Sequence, residues 1–273
     1  MYTKYWEVKL VQIPFYDDFL KIPLFTDGSD FERYKDDYIH KKIINNSIYK
    51  FIPFSEDEDF NNRKINLVAE KKLWVSCHSC FEDKNEVAIS CNPKVIARKT
   101  GVSEKNVRYF INTTKEMNDV SCFTYGINDF MWKNYANGRN GFCLRFEVIN
   151  TAMFYPVIYL NKERIDFTED YIQDLRNMKK PTMEIRLSRP AILPWVLKDS
   201  LFFQENELRF LYGDAYDDEN GDLGGRIAVG KKSMMGYKGT TCDYGYCGIA
   251  LKEIIIGENC SDSHKKMLCS LLQ

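Results

Sequence analysis

Residues 201–212 read L-F-F-Q-E-N-E-L-R-F-L-Y, and their apolar and charged positions separate by parity. Phe202, Leu208, Phe210 and Tyr212 share one parity, and Glu205, Glu207 and Arg209 share the other. Side chains two apart on a strand point to one face. The pattern predicts a β-strand over 201–212 with two carboxylates and a guanidinium in a row. A strand this apolar does not suit a solvated edge. Its charged face is expected to line a cleft, where buried charges need partners or work to do. A solvated face carrying a Glu–Arg pair gives the same pattern.

The same periodicities organise the rest of the chain. Period-two alternation predicts strands over 5–13, 47–53, 73–77, 120–124, 142–148, 156–160 and 251–256. Phe142, Leu144, Phe146 and Val148 are expected on one face of theirs. The strand at 156–160 is expected to run antiparallel to it if the turn at Asn150 is tight. Helical spacing of apolar residues predicts helices over 30–42, 63–72, 103–117, 167–180 and 262–272, with Ser103 and Ser261 as N-caps. Pro93 opens a further helix that Gly101 interrupts, and residues 128–135 form a short aromatic helical segment. Residues 192–201 continue as helix or turn into the strand opened above. Residues 56–59 read as an acidic loop and 217–225 as a polar hairpin loop. The sum is an α+β chain with a mixed, mostly antiparallel sheet and flanking helices. Residues 1–46 read as an N-terminal extension packing on a main domain at 47–273.

Composition narrows the chemistry. The chain has 273 residues, 44% of them hydrophobic, and 38 basic residues against 39 acidic ones. There is no global basic field of the kind that generic nucleic-acid binders carry. No apolar run approaches the ~20 residues of a membrane helix, so no membrane partner is expected. The nine cysteines, with no export signal before them, point to a reducing cytoplasm. Cys77 and Cys80 form a C-x-x-C, with Cys91, Cys242 and Cys247 downstream. Zinc sites more often show two tight pairs close together, so thiols without metal are the preferred reading. His40, His78 and His264 are scattered, and neither G-x-G-x-x-G nor a Walker loop is present.

Several stretches resemble a bacterial family known as domain of unknown function 2971. They are I-Y-K-F at 48–51, L-W-V-S at 73–76, F-E-D-K-N-E at 81–86, S-C-F at 121–123 and M-W-K-N-Y-A-N-G-R-N-G-F-C-L-R-F at 131–146. Y-P-V-I-Y at 155–159, E-N-E-L-R at 205–209 and L-K-E-I-I-I-G at 251–257 follow in order. The order of three strand motifs is also similar to that of ADP-ribosyltransferases. That resemblance implies a bound NAD. Tyr49 and Lys50 would hold the nucleotide, and Trp74 and Ser76 would position its nicotinamide side. Glu207 would stabilise an oxocarbenium-like ribose with Glu205 as helper. Trp74, Trp132 and Tyr135 would stack on nicotinamide or adenine. Arg209 completes the candidate cofactor-binding set, unless it only pairs with Glu207. The reading implies a bacterial toxin or anti-phage effector that modifies a protein or nucleic acid. Two alternatives stay open: a non-catalytic module that senses a nucleotide or a partner, and a hydrolase placing Mg²⁺ on Glu205, Glu207 and Asp83.

Overall fold

The computed structural model describes residues 29–81, 86–87, 89–116, 118–160, 166–177, 189–213 and 238–271. The strand expected at 5–13 and the loop at 217–225 lie outside these residues. Helix α1 (Ser29–Lys42) leads into β1 (Ser47–Pro53). Its Ile39, with Ile43 just beyond, joins the main core, and Lys35 Nζ donates to the Ala152 carbonyl. Helix α2 (Glu58–Ala69) and strand β2 (Lys72–Ser76) follow. Residues 56–59 are thus not all loop. Asp57 accepts from the Phe60 N–H, which caps the helix and draws the acidic residues into its first turn.

Helices α3 (Pro93–Thr100) and α4 (Glu104–Glu116) come next, separated by Gly101 at φ 75°. Then come β3 (Asp119–Thr124), α5 (Asp129–Tyr135) and β4 (Gly141–Val148). β5 (Phe154–Pro156), β6 (Ile158–Leu160) and α6 (Thr168–Asn177) follow. α7 (Arg189–Val196) runs directly into β7 (Leu197–Asp199). The chain ends with β8 (Glu207–Tyr212), β9 (Gly239–Asp243), β10 (Ile249–Ile256) and α8 (Asp262–Ser270).

The expected strand over 201–212 is half right. Asp199 accepts from the Leu201 N–H and starts a 3₁₀ turn over Ser200–Glu205. Asn206, at φ 46° and ψ 55°, ends it. Asparagine tolerates this left-handed conformation better than most residues. Only then does β8 begin, so Phe202 does not share the face of Leu208. The strand at 156–160 is also corrected. β5 pairs with β8, and β6 pairs in parallel with β7, so neither lies beside β4.

The fold is α+β with a mostly antiparallel sheet in the order β10-β4-β1-β3-β2-β9, and β8 and β5 attach through β3. β8 pairs along all of β3. On the other edge of β3, β1 meets it at Tyr49–Thr124 and β2 at Ser76–Val120. The sheet therefore splits there. The main core lies on one face, where Phe142, Leu144, Phe146 and Val148 of β4 meet Leu208, Phe210 and Tyr212 of β8. On the opposite face, α3, α4, α6 and α7 bury a second cluster around Trp195 and Tyr171. A third, smaller cluster sits under α5, with Trp132 against Phe51. The split in the sheet opens between these last two clusters.

Two glycines differ in what they tolerate. A Cβ on Gly257 would meet the Arg139 and Gly141 carbonyl oxygens at 2.1 and 2.7 Å. Gly101 has open space but a left-handed φ. Gly257→Ala is expected to cost about 2–3 kcal/mol by overpacking, and Gly101→Ala only about 1 kcal/mol of backbone strain. Urea unfolding of the two variants checks the order.

Candidate functional site

The alternation of β8 places Leu208, Phe210 and Tyr212 in the main core, so Glu207 and Arg209 turn toward the helical side. Arg209 is fully buried. Its Nε donates to Glu207 Oε1 at 2.7 Å and its Nη1 to the Trp195 carbonyl at 2.6 Å. Its Nη2 reaches Glu86 Oε2 at 3.2 Å and Glu207 Oε2 at 3.3 Å. A second cation enters from β7. Lys198 Nζ lies 3.1 Å from Glu86 and 3.1 Å from Glu207, and it also binds Glu205. The 3₁₀ turn and the Asn206 reversal carry Glu205 back to Lys198, where it also accepts from the Tyr135 hydroxyl. The Glu207 N–H donates to the Tyr159 hydroxyl at 2.9 Å.

Three carboxylates thus share two cations, a formal charge of about −1 in a buried setting. The protonation of Glu205 and Glu207 is driven apart. Burial acts to raise Glu207, but Arg209 and then Lys198 outweigh it, and the carboxyl is held well below the usual range. Glu205 goes the other way. Burial raises it, the Glu207 charge adds to that, and Lys198 offsets only part. Burial acts to lower Lys198, yet Glu207, Glu86 and Glu205 together keep it firmly protonated. Burial lowers the Lys50 ammonium, with the Cys122 thiol and Glu207 opposing.

These groups floor a cavity of about 400 Å³, within the range of small-ligand sites. Its walls are aromatic. Phe81 lies 5.5 Å from the Arg209 guanidinium and Phe202 lies 5.2 Å from the Lys198 ammonium. Tyr49, Lys50 and Phe51 border it from β1, where that strand leaves β3. Lys50 Nζ spans the split, donating to Ser121 Oγ at 2.8 Å and to the Cys122 carbonyl at 3.2 Å.

Of the residues singled out in the sequence, Tyr49, Lys50, Tyr135, Glu205, Glu207 and Arg209 line this cavity. Trp74, Ser76 and Trp132 do not. Trp74 is exposed on β2 and its indole N–H donates to Ser76 Oγ at 2.9 Å. Trp132 is buried under α5. Asp83 lies outside the described residues, and the Glu205 and Glu207 oxygens a cation would need are already held by Lys198 and Arg209. The two cysteine pairs do not converge. Cys77 follows Ser76, which pairs with Gly239, whereas Cys242 pairs with Leu73 near the far end of the ladder.

Lys198 escaped the sequence reading, and Phe81, Glu86 and Cys122, though inside the quoted blocks at 81–86 and 121–123, were given no site role. A signal for Lys198 existed: two buried glutamates against one arginine require another cation, and W-V-L-K-D precedes them.

The fold and site define an α+β protein with a cavity floored by a buried charge cluster. Residues 131–210 match the family model described as Protein of unknown function (DUF2971). The resemblance read from the sequence holds over that span, which includes the blocks at 131–146, 155–159 and 205–209. No curated protein and no solved structure matches the chain. Among the described residues, no helix is long and apolar enough to cross a membrane.

Because Glu207 is held below its unfolded value, its contribution to stability is present above about pH 4.3, the ordinary glutamate range, and is lost as pH falls toward the folded value. Lys198→Met removes the cation shared by all three carboxylates. It should destabilise the fold by about 3–5 kcal/mol at neutral pH, while Lys198→Arg loses less. In Lys198→Met the Glu205 and Glu207 carboxyls lose a charge that lowers them, so their pKa values rise and the deficit should shrink as pH falls. Denaturant titrations at neutral and mildly acid pH test this, and a deficit that does not depend on pH would contradict it.

Proposed function

We propose that this chain is an NAD-using enzyme of ADP-ribosyltransferase type, acting on the bond between nicotinamide and ribose and passing the ADP-ribosyl group to a protein or nucleic-acid acceptor. The observation that carries the reading is the pair Glu205 and Glu207. They are two carboxyls in one cavity whose surroundings push their protonation in opposite directions. Pairs split in this way divide the acid–base role from the charge-stabilising role.

Glu207, held below the usual carboxylate range by Arg209 and Lys198, is suited to face the positive charge that develops on the ribose in the transition state. Glu205, raised and held between Tyr135 and Lys198, is suited to take the acceptor's proton. Tyr49, Phe81 and Phe202 offer flat surfaces for a nicotinamide ring. Lys50 and Arg209 remain in the set, and Trp74, Ser76 and Trp132 leave it. All nine cysteines are thiols, in keeping with action in the cytoplasm, where such an activity would serve a toxin or an anti-phage effector.

A second reading rests on a specific observation. Both Glu207 oxygens already receive bonds from Arg209 and Lys198. A carboxylate so neutralised suits a module that binds a nucleotide without turning it over.

Nicotinamide release from NAD by the purified chain, with and without cell lysate, separates the two. The enzyme reading expects release that Glu207→Gln lowers by about 10²–10³-fold, in a variant that is less stable but that circular dichroism shows still folded at the assay temperature. Glu205→Gln should lower it and remove the acidic limb of its pH profile. Thermal stabilisation by NAD with no release in either condition would contradict the enzyme and support the binding module.

A further inference from the structure

Strand β2 ends at Ser76, and the chain turns at once through a 3₁₀ segment over His78–Cys80. The Cys77 N–H donates to the Lys238 carbonyl at 3.2 Å, and the Cys80 N–H donates to the Cys77 carbonyl at 3.0 Å. This turn brings Cys77 Sγ and Cys80 Sγ to 3.7 Å. Cys77 is buried and Cys80 is exposed. Cys80 also lines the cavity, and the next residue, Phe81, lies over the Arg209 guanidinium.

We propose that Cys77 and Cys80 are an oxidisable dithiol, a modification site at the rim of the cavity that a hydroperoxide converts into an intrachain disulfide. The turn already holds the sulfurs three residues apart in one hydrogen-bonded loop. Rotation of the two side chains brings them to a bond length of about 2.05 Å. The exposed sulfur reacts first. The Cys80 thiolate attacks a peroxide oxygen, forming a sulfenic acid and releasing the other oxygen as water (or as an alcohol from an organic hydroperoxide). The Cys77 thiolate then attacks the Cys80 sulfur, and the sulfenic oxygen leaves as water. Two thiols lose two electrons and two protons, and the peroxide takes up both.

The second pair provides an internal comparison. Cys242 and Cys247 have sulfurs 3.1 Å apart, but both are buried, so neither meets an oxidant in the folded protein. Burial, and then the bond with Cys77, raises the Cys80 thiol, so only a minor share is thiolate at neutral pH and the first step is slow. The proposal is independent of any activity assigned to the cavity. Closure would fix the wall formed by Cys80 and Phe81.

The test treats the native full chain with hydrogen peroxide, denatures it without reductant, alkylates the remaining thiols and digests with trypsin. Residues 73–84 are released as one peptide holding Cys77 and Cys80 and no other cysteine. The expected product is that peptide unalkylated and lighter by two hydrogens, with dithiothreitol restoring two alkylated thiols. Cys242 and Cys247 should remain alkylated at the same peroxide dose. In Cys80→Ser, Cys77 should stay alkylated throughout. Two alkylated cysteines in the treated wild-type peptide would overturn the proposal. So would an over-oxidised Cys80 beside an alkylated Cys77, or oxidation of Cys77 in Cys80→Ser as fast as in the wild type.

Discussion

The bond between Arg209 and Glu207 is the constraint around which the rest of the site is arranged. Arg209 is fully buried, and Glu207 is nearly so. An unpaired charge at either position would be prohibitively unfavourable in so dry a setting. β8 places the two on one face, two residues apart, but one pair does not balance the region. Glu86 and Glu205 add negative charge, and Lys198 answers all three carboxylates. Fixing Lys198 fixes β7, which pairs with β6, and the Trp195 carbonyl on α7 accepts from Arg209. The charge cluster thus ties α7, β7 and the 3₁₀ turn to the sheet.

The split in the sheet gives that cluster a cavity instead of a sealed core. β1 leaves β3 after Tyr49, while β2 joins β3 only at Ser76. Lys50 bridges the opening with two hydrogen bonds. The helical cluster around Trp195 closes one side and α5 closes the other. Tyr135, at the end of α5, reaches from a partly exposed position to Glu205. A hydroxyl there links the most readily protonated carboxyl to the cavity mouth.

Much of this was legible from local pattern. Parity along 207–212 separates core from site correctly, because a strand covered on both faces still sorts charge from apolar bulk. The faces of β4, the caps at Ser103 and Ser261, and the strand at 47–53 follow from short-range rules. What could not be read depends on distant pairing or on one backbone reversal. Leu201 and Phe203 alternate as a strand would, yet both are exposed on the 3₁₀ turn that Asp199 initiates. Alternation alone does not distinguish the two, and Asn206 was the only local mark of a break. The strand read at 156–160 meets other neighbours than β4 because β5 pairs with β8 more than fifty residues on and β6 with β7 nearly forty residues on. Glu205 reached its expected companions by another route than the one its parity implied. Lys198 and Glu86 became visible only with tertiary structure, since their meaning lies in which carboxylates and cations they meet.

The central claim is that one buried cluster shifts the protonation of two neighbouring glutamates in opposite directions. Selective ¹³C labelling of the glutamate side chains, assigned with Glu205→Gln and Glu207→Gln, measures this directly by NMR across an acid titration of the folded chain. The account predicts that the Glu205 carboxyl titrates above the ordinary glutamate range of about 4.3, while the Glu207 carboxyl stays ionised as exposed glutamates protonate. Two carboxyls titrating together near the ordinary value would contradict it.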